Sequence, residues 1–191
     1  MAQEPTNSAG AVGATIHRTV RYVARTLVDV HAVLEVAENE IGERGWWPLK
    51  GNKLTGASDS FNQPESWIVK IIGRAYVNIP ERKSLDPVDD VRIVEVHLTP
   101  DFAPEAMVVL AKAHLSTPTH RRDIWNSWPA YVGEILGSGI AVREPFILEE
   151  TQARTAMTIA DRIAVRVLPL TDVPSKAHVL ERIVNPLFSL P

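Results

Sequence analysis

The chain contains no cysteine, which excludes disulfides, thiolate catalysis, iron–sulfur clusters and thiolate zinc sites. No stretch approaches the run of about eighteen apolar residues that a transmembrane helix needs, and the N-terminal segment lacks the basic and apolar parts of a signal peptide. A net charge of −3 gives no overall attraction to nucleic acid. We therefore expect a cytoplasmic protein without a membrane partner, and nucleic acid is not indicated.

The length of 191 residues and a hydrophobic content of 45% are enough to bury a core, and they favour one domain. Residues 1–13 are rich in small and polar side chains and predict a disordered tail. We expect residues 14–191 to form a single domain.

A long amphipathic helix is the clearest pattern in the chain. Its apolar residues alternate at spacings of four and three, and we call them the seam: Ile16, Val20, Val23, Leu27, Val30, Leu34, Ala37 and Ile41. A period of about 3.5 residues keeps such positions on one narrow side of a helix. Gly42 then predicts the helix end. The seam is expected to pack on the chain's own sheet or on another helix.

Strands are predicted after the helix. Residues 45–56 contain three Gly, one Pro and two adjacent tryptophans, which predicts a loop held down by its indoles. Apolar and β-branched runs then predict strands over 67–79, 91–98, 107–115 and 162–168, with a short strand within 140–148. Residues 67–75 also fit a helical face, in which case the first strand begins near Arg74. Helices are predicted over 123–136 and 180–187.

The alternation of side chains predicts how the strands face. One side collects Val94 and Val96 with the apolar positions of the other strands, and the opposite side is polar. This pattern is typical of an antiparallel sheet with one wet face. The predicted fold class is α+β: a two-layer, mostly antiparallel sheet with one face covered by helices, including the long N-terminal helix.

The polar side suggests a binding site. Charge pairing favours a register in which Glu95 lies opposite Lys112. Alternation of side chains along the strands then places five residues on the same polar face: Arg74, Tyr76, Glu95, His97 and Lys112. Such a group would bind an anion or do acid–base chemistry with His97. The alternative, which we favour, is a solvated sheet face with cross-strand ion pairs.

No metal site or cofactor is expected. In that register His97 and His114 lie about 13 Å apart along the strands, because each residue advances about 3.3 Å. Two imidazoles so far apart cannot share one zinc ion. No other histidine pair has the spacing of metal ligands.

Charge along the helix opposes its dipole. Arg18, Arg21 and Arg25 lie in the first half, whereas the acidic Glu35, Glu38 and Glu40 lie in the second. Either an outside partner compensates this order, or the charges are simply solvated, which we favour. Arg18 and Arg25 fall at the outermost heptad position, away from the seam.

The predicted function is a non-enzymatic interaction module that self-associates or docks a protein partner. The seam spans 26 residues, a rod of about 39 Å, which is longer than a small sheet needs. The alternative is a metal-dependent nuclease-like or other hydrolase. Asp90 followed by Glu95-Val96-His97, in the order helix, three strands, helix, strand, resembles the PD-(D/E)xK nucleases, with His where that family has Lys. That resemblance implies metal-dependent cleavage.

Overall fold

The structure is a computed structural model that describes residues 8–49, 53–55, 69–78, 87–100, 103–120, 122–124, 144–149, 153–154 and 157–191. A long N-terminal helix is followed by an antiparallel sheet and a C-terminal helix, which confirms the predicted α+β class. Within these residues no helix combines the length and the apolar character needed to cross a bilayer.

The N-terminal helix, α1, spans Ser8–Glu43 and contains the whole predicted seam. It begins inside the segment predicted as a tail, so residues 8–13 are helical. Its end lies beyond the predicted Gly42, because Gly45 takes the left-handed conformation with φ of 80°. Gly45 N donates to Gly42 O and Trp46 N donates to Ile41 O, which satisfies the last carbonyls of the helix in a Schellman turn.

The sheet contains seven strands in the described residues, all in antiparallel pairs. They are β1 (Trp47–Pro48), β2 (Lys53–Thr55), β3 (Ile71–Val77), β4 (Val88–His97), β5 (Met107–Thr119), β6 (Phe146–Leu148) and β7 (Ala160–Pro169). Their order is β1-β3-β4-β5-β7-β6, and β2 lies beside β1 on the outer edge of β3. The segment predicted as an irregular loop therefore contains two short edge strands, whereas 125–136 of the predicted second helix lies outside the described residues.

The C-terminal helix, α2, covers residues 176–189. It opens as a turn of α-helix (Lys176–His178), widens into a π-helix (Val179–Val184) and closes as α-helix (Asn185–Ser189). Pro186 explains the widening, because a proline ring in a regular α-helix clashes with the carbonyl four residues earlier. The helix therefore continues past Pro186 to Ser189.

Both faces of the sheet are buried. We call the side that carries α1 and α2 the helix face, and its core contains Ile72, Tyr76, Val94, Val96, Val108, Leu110, Ala164 and Leu168. The opposite side, the far face, packs with Ile124, Ala153 and Met157 through Ile71, Ala75, Ile93, Val109, Ala111, Ile163, Val165 and Val167. The helices cover one face as predicted, but the prediction that the other face is open to water is wrong.

The seam divides into two halves. Its second half packs onto the helix face and α2, and Val30, Leu34, Ala37 and Ile41 are at most 2% exposed. Its first half leaves the body of the protein: Ile16 is 58% exposed and Val20 is 62% exposed. Only about a third of the helix therefore lies against the chain's own sheet.

Leu34→Asp is expected to lower the free energy of unfolding by about 3 kcal/mol or more, because it buries a carboxylate without a partner in the packed half of the seam. Urea denaturation measures the loss. Arg25→Ala, on the exposed side of the same helix, serves as the control and should be close to neutral. Equal stability of the two variants would contradict the packing described above.

Candidate functional site

The five residues predicted to form a polar site lie on two different faces of the sheet. Arg74, Tyr76 and Lys112 are on the helix face, whereas Glu95 and His97 point to the far face. The predicted pair Glu95–Lys112 is wrong, because Glu95 is paired with Val109 and Lys112 with Arg92. The structure therefore does not bring the five together, and ligand binding by any of them stays a prediction.

The register error has a physical cause. In β4 both alternating sets are apolar, with Val91 and Ile93 on one side and Val94 and Val96 on the other. Such a strand is buried on both faces, so alternation does not reveal which set faces the helices. A shift of one residue moves every side chain to the other face. Charge pairing then favoured the wrong choice.

Glu95 and His97 form a buried pair on the far face. His97 Nε2 lies 3.0 Å from Glu95 Oε2, and the two side chains are 2% and 0% exposed. They are successive residues on one side of β4, beside the apolar Val109 and Met107 of β5. Breaking such a buried polar pair is costly, so it contributes to the structure whatever else it does.

The two acids of the nuclease resemblance do not converge. Asp90 lies opposite His114, on the helix side of β4, whereas Glu95 points to the far face. A shared divalent cation needs both carboxylates within coordination distance. The described residues contain no group of three or more His, Cys, Asp or Glu side chains placed to hold a metal ion.

Lys112 borders a shallow polar pocket at the edge of the helix face. The pocket has a volume of about 230 Å³ and is lined by Asp90, Lys112, His114, Arg162, Ala164 and Pro191. His114 Nδ1 lies 3.0 Å from Asp90 Oδ1, and both side chains are well exposed to solvent. Exposed pairs of this kind contribute little to stability. Asp90 and His114 were not part of the polar group predicted from the sequence.

Tyr76 is buried on the helix face, and its hydroxyl has no hydrogen-bond partner among the described residues. Burial raises the pKa of Tyr76 above its usual value, and the nearby charge of Arg74 lowers it to a smaller extent. Arg74 itself pairs with Glu38 of α1, which ties the helix to β3. Two of the predicted site residues thus hold the helix on the sheet.

Arg92 is the polar residue that sequence reasoning missed. Its guanidinium carbon lies 4.6 Å from the ring centre of Trp46 and 4.3 Å from that of Phe188. It also donates a hydrogen bond to the carbonyl oxygen of Leu187. Burial lowers the pKa of Arg92, Asp90 raises it and Arg44 lowers it further. Arg92 therefore joins β4, the end of α1 and α2 at one point.

The projecting half of the seam is the most distinctive exposed surface in the described residues. We call it the projecting seam: Ile16, Val20, Val23 and Leu27. Ile16 and Val20 are more than half exposed, as is the neighbouring Val12 at 56%, whereas Val23 and Leu27 are half-buried and Leu27 also packs against the helix-face core. Single exposed apolar residues are common, but a row at heptad spacing on one helix side is a candidate interaction surface.

Charge is absent from the edges of the projecting seam. The heptad positions that flank it are occupied by His17, Thr19, Ala24 and Thr26, none of which is Lys, Arg, Asp or Glu. Arg18, Arg21 and Arg25 lie on the opposite side of the helix, because each residue turns it by about 100°. The seam is thus an apolar stripe with neutral borders.

Comparison of the chain with protein-family models, with curated proteins and with solved structures gives no match. No relative therefore suggests an activity or a partner.

Tyr76→Phe is expected to leave the free energy of unfolding at pH 7 unchanged or to raise it by up to about 1 kcal/mol, because it removes a buried hydroxyl that lacks a partner. With the native tyrosine, stability should fall as pH rises above about 10, since the unfolded chain releases the proton first when the folded pKa is higher. Denaturation of both proteins between pH 7 and pH 11 tests this. The exposed Tyr22→Phe is the control, and a Tyr76→Phe variant with the native alkaline slope would contradict the assignment.

Arg92→Lys should lower the free energy of unfolding by about 2 kcal/mol, because an ammonium group does not reproduce the planar stack or the forked donors of the guanidinium. Urea denaturation followed by tryptophan fluorescence measures the change. Arg166→Lys, on the same face but without a ring contact among the described residues, should change stability by less than about 0.5 kcal/mol. Equal effects would show that the aromatic contacts are unimportant.

Proposed function

We propose that the protein is a non-enzymatic interaction module that self-associates through the projecting seam. One observation carries the proposal: a single heptad seam is core in its second half, whereas in its first half Ile16 and Val20 are exposed and Val23 and Leu27 are half-buried. The residue types and the spacing are the same in both halves, so the exposed half has the composition of a surface that is normally buried.

The energetics of the projecting helix support a partner. An isolated helix of about 12–15 residues is marginal in water, and helices in proteins gain most of their stability by packing an apolar side. Residues 8–27 of α1 lie ahead of the first fully buried seam position, Val30. The first turn also contains no acidic residue to offset the helix dipole. Contact along the seam would supply the missing stabilisation.

At micromolar concentration we expect the protein to have at least the mass of a dimer in static light scattering. Val20→Asp should return it to the monomer, because the carboxylate would enter the apolar contact of both copies. The expected loss of affinity is at least about 100-fold, which corresponds to about 3 kcal/mol. Circular dichroism of the body should be unchanged, since Val20 is exposed in the monomer.

Val28→Asp provides a matched control. Val28 is 67% exposed, close to the 62% of Val20, but it lies off the seam. This variant should keep the mass of the native protein. A monomeric native protein over the whole micromolar range would contradict self-association, and equal effects of the two substitutions would contradict the seam as its surface.

A further inference from the structure

We propose that the projecting seam is occupied by the same segment of a second copy, in antiparallel orientation, with the two-fold axis level with position 18, one residue from Thr19. This inference rests on the self-association proposed above and specifies its geometry. In the resulting pair, Ile16 of each copy packs against Val20 of the other, and Gly13 lies opposite the partner's Val23.

The period of the seam permits a helical partner. Positions 16, 20, 23 and 27 repeat every seven residues, which keeps them facing a second helix along their whole length. In its second half the same period packs on the sheet and on α2. The period therefore permits a paired helix, and the choice of partner rests on the charges and on the position of the body.

The charges favour an identical partner. Helices that pair with a different chain are commonly selected by charges at the positions flanking the seam. Here those positions hold His17, Thr19, Ala24 and Thr26, while Arg18, Arg21 and Arg25 face away. Two copies therefore meet without Lys, Arg, Asp or Glu at the borders, and the borders carry no charge pattern that would select another protein.

The position of the body requires the antiparallel orientation. The seam side of α1 packs against the chain's own core from Leu27 onward and is completely buried from Val30. Parallel copies would place two such bodies at the same end and on the same side of the pair, where they collide. Antiparallel copies place the bodies at opposite ends. They also align the helix dipoles favourably.

The length of the projection selects the register. When Ile16 faces the partner's Val20, the helix start at Ser8 lies level with the partner's Val28, between the half-buried Leu27 and the fully buried Val30. A shift by one heptad would bring Gly13 level with Val30, into space that the sheet occupies. Gly13 has open space around its Cβ position in the single chain, so a larger partner side chain fits opposite it.

Spin labels on single cysteines test this geometry in the full chain, which has no native cysteine. Thr19→Cys and Thr26→Cys place labels at equivalent positions one heptad apart. The proposed register separates the two residues 19 by about 3 Å along the helix axis and the two residues 26 by about 24 Å, at 1.5 Å per residue. We therefore expect strong dipolar broadening at position 19 and a separation above 20 Å at position 26.

Three other outcomes would each overturn the inference. Short and equal distances between the labels of the two copies at positions 19 and 26 would mean a parallel pair. Intermediate distances at both positions would mean a shifted register. In either case the proposed self-association would still hold. If light scattering shows that both the labelled and the native protein are monomers, the proposed self-association and this inference are both wrong. Val28→Asp in the labelled background should leave both distances unchanged.

Discussion

The packing of the second half of the seam against the sheet is the contact on which the rest of the structure depends. Val30, Leu34, Ala37 and Ile41 join α1 to α2 and to the central strands in one apolar cluster. The ion pair between Arg74 and Glu38 lies beside this contact. The Schellman turn at its end then directs Trp46 toward Phe188 and the chain toward β1. Position and direction of the projecting half follow from this one contact.

Burial of both sheet faces explains where the polar residues of the strands are found. A charged group inside a protein is tolerated when it is stacked, paired or hydrogen-bonded. Arg92 lies against two aromatic rings, and Glu95 lies against His97. The same residue types on an open sheet would be solvated. Their arrangement here reflects the demands of an interior, which is why a cluster of polar residues on these strands is weak evidence of a site.

The division of α1 connects the fold to the proposed function. The buried part of the seam, residues 30–41, covers about 18 Å of a helix about 54 Å long. The sheet does not reach further along the helix, so the projecting seam extends from the body as an apolar stripe. A surface of this kind is stable in water when another surface covers it, and the neutral borders of the stripe allow that surface to be its own copy.

Local patterns were sufficient for the long helix and the main strands, but not for the edge strands β1 and β2. The heptad period predicted α1, and β-branched runs predicted β3, β4, β5 and β7, because these signals depend on neighbours a few residues apart. The register of β4 was not predictable from its own residues, since Val91 and Ile93 compete with Val94 and Val96 for the same face. Arg92 likewise gained its role only from Trp46 and Phe188, which are distant in sequence.

The sequence by itself determined that this chain has a long helix with one apolar seam, an antiparallel sheet and no cysteine chemistry. Only the tertiary structure decided which half of the seam is core and which half is exposed, and on which face each strand residue lies. The physical reason is that Leu34 and Val20 occupy equivalent positions in the same heptad repeat. Their burial differs because the sheet ends before it reaches Val20.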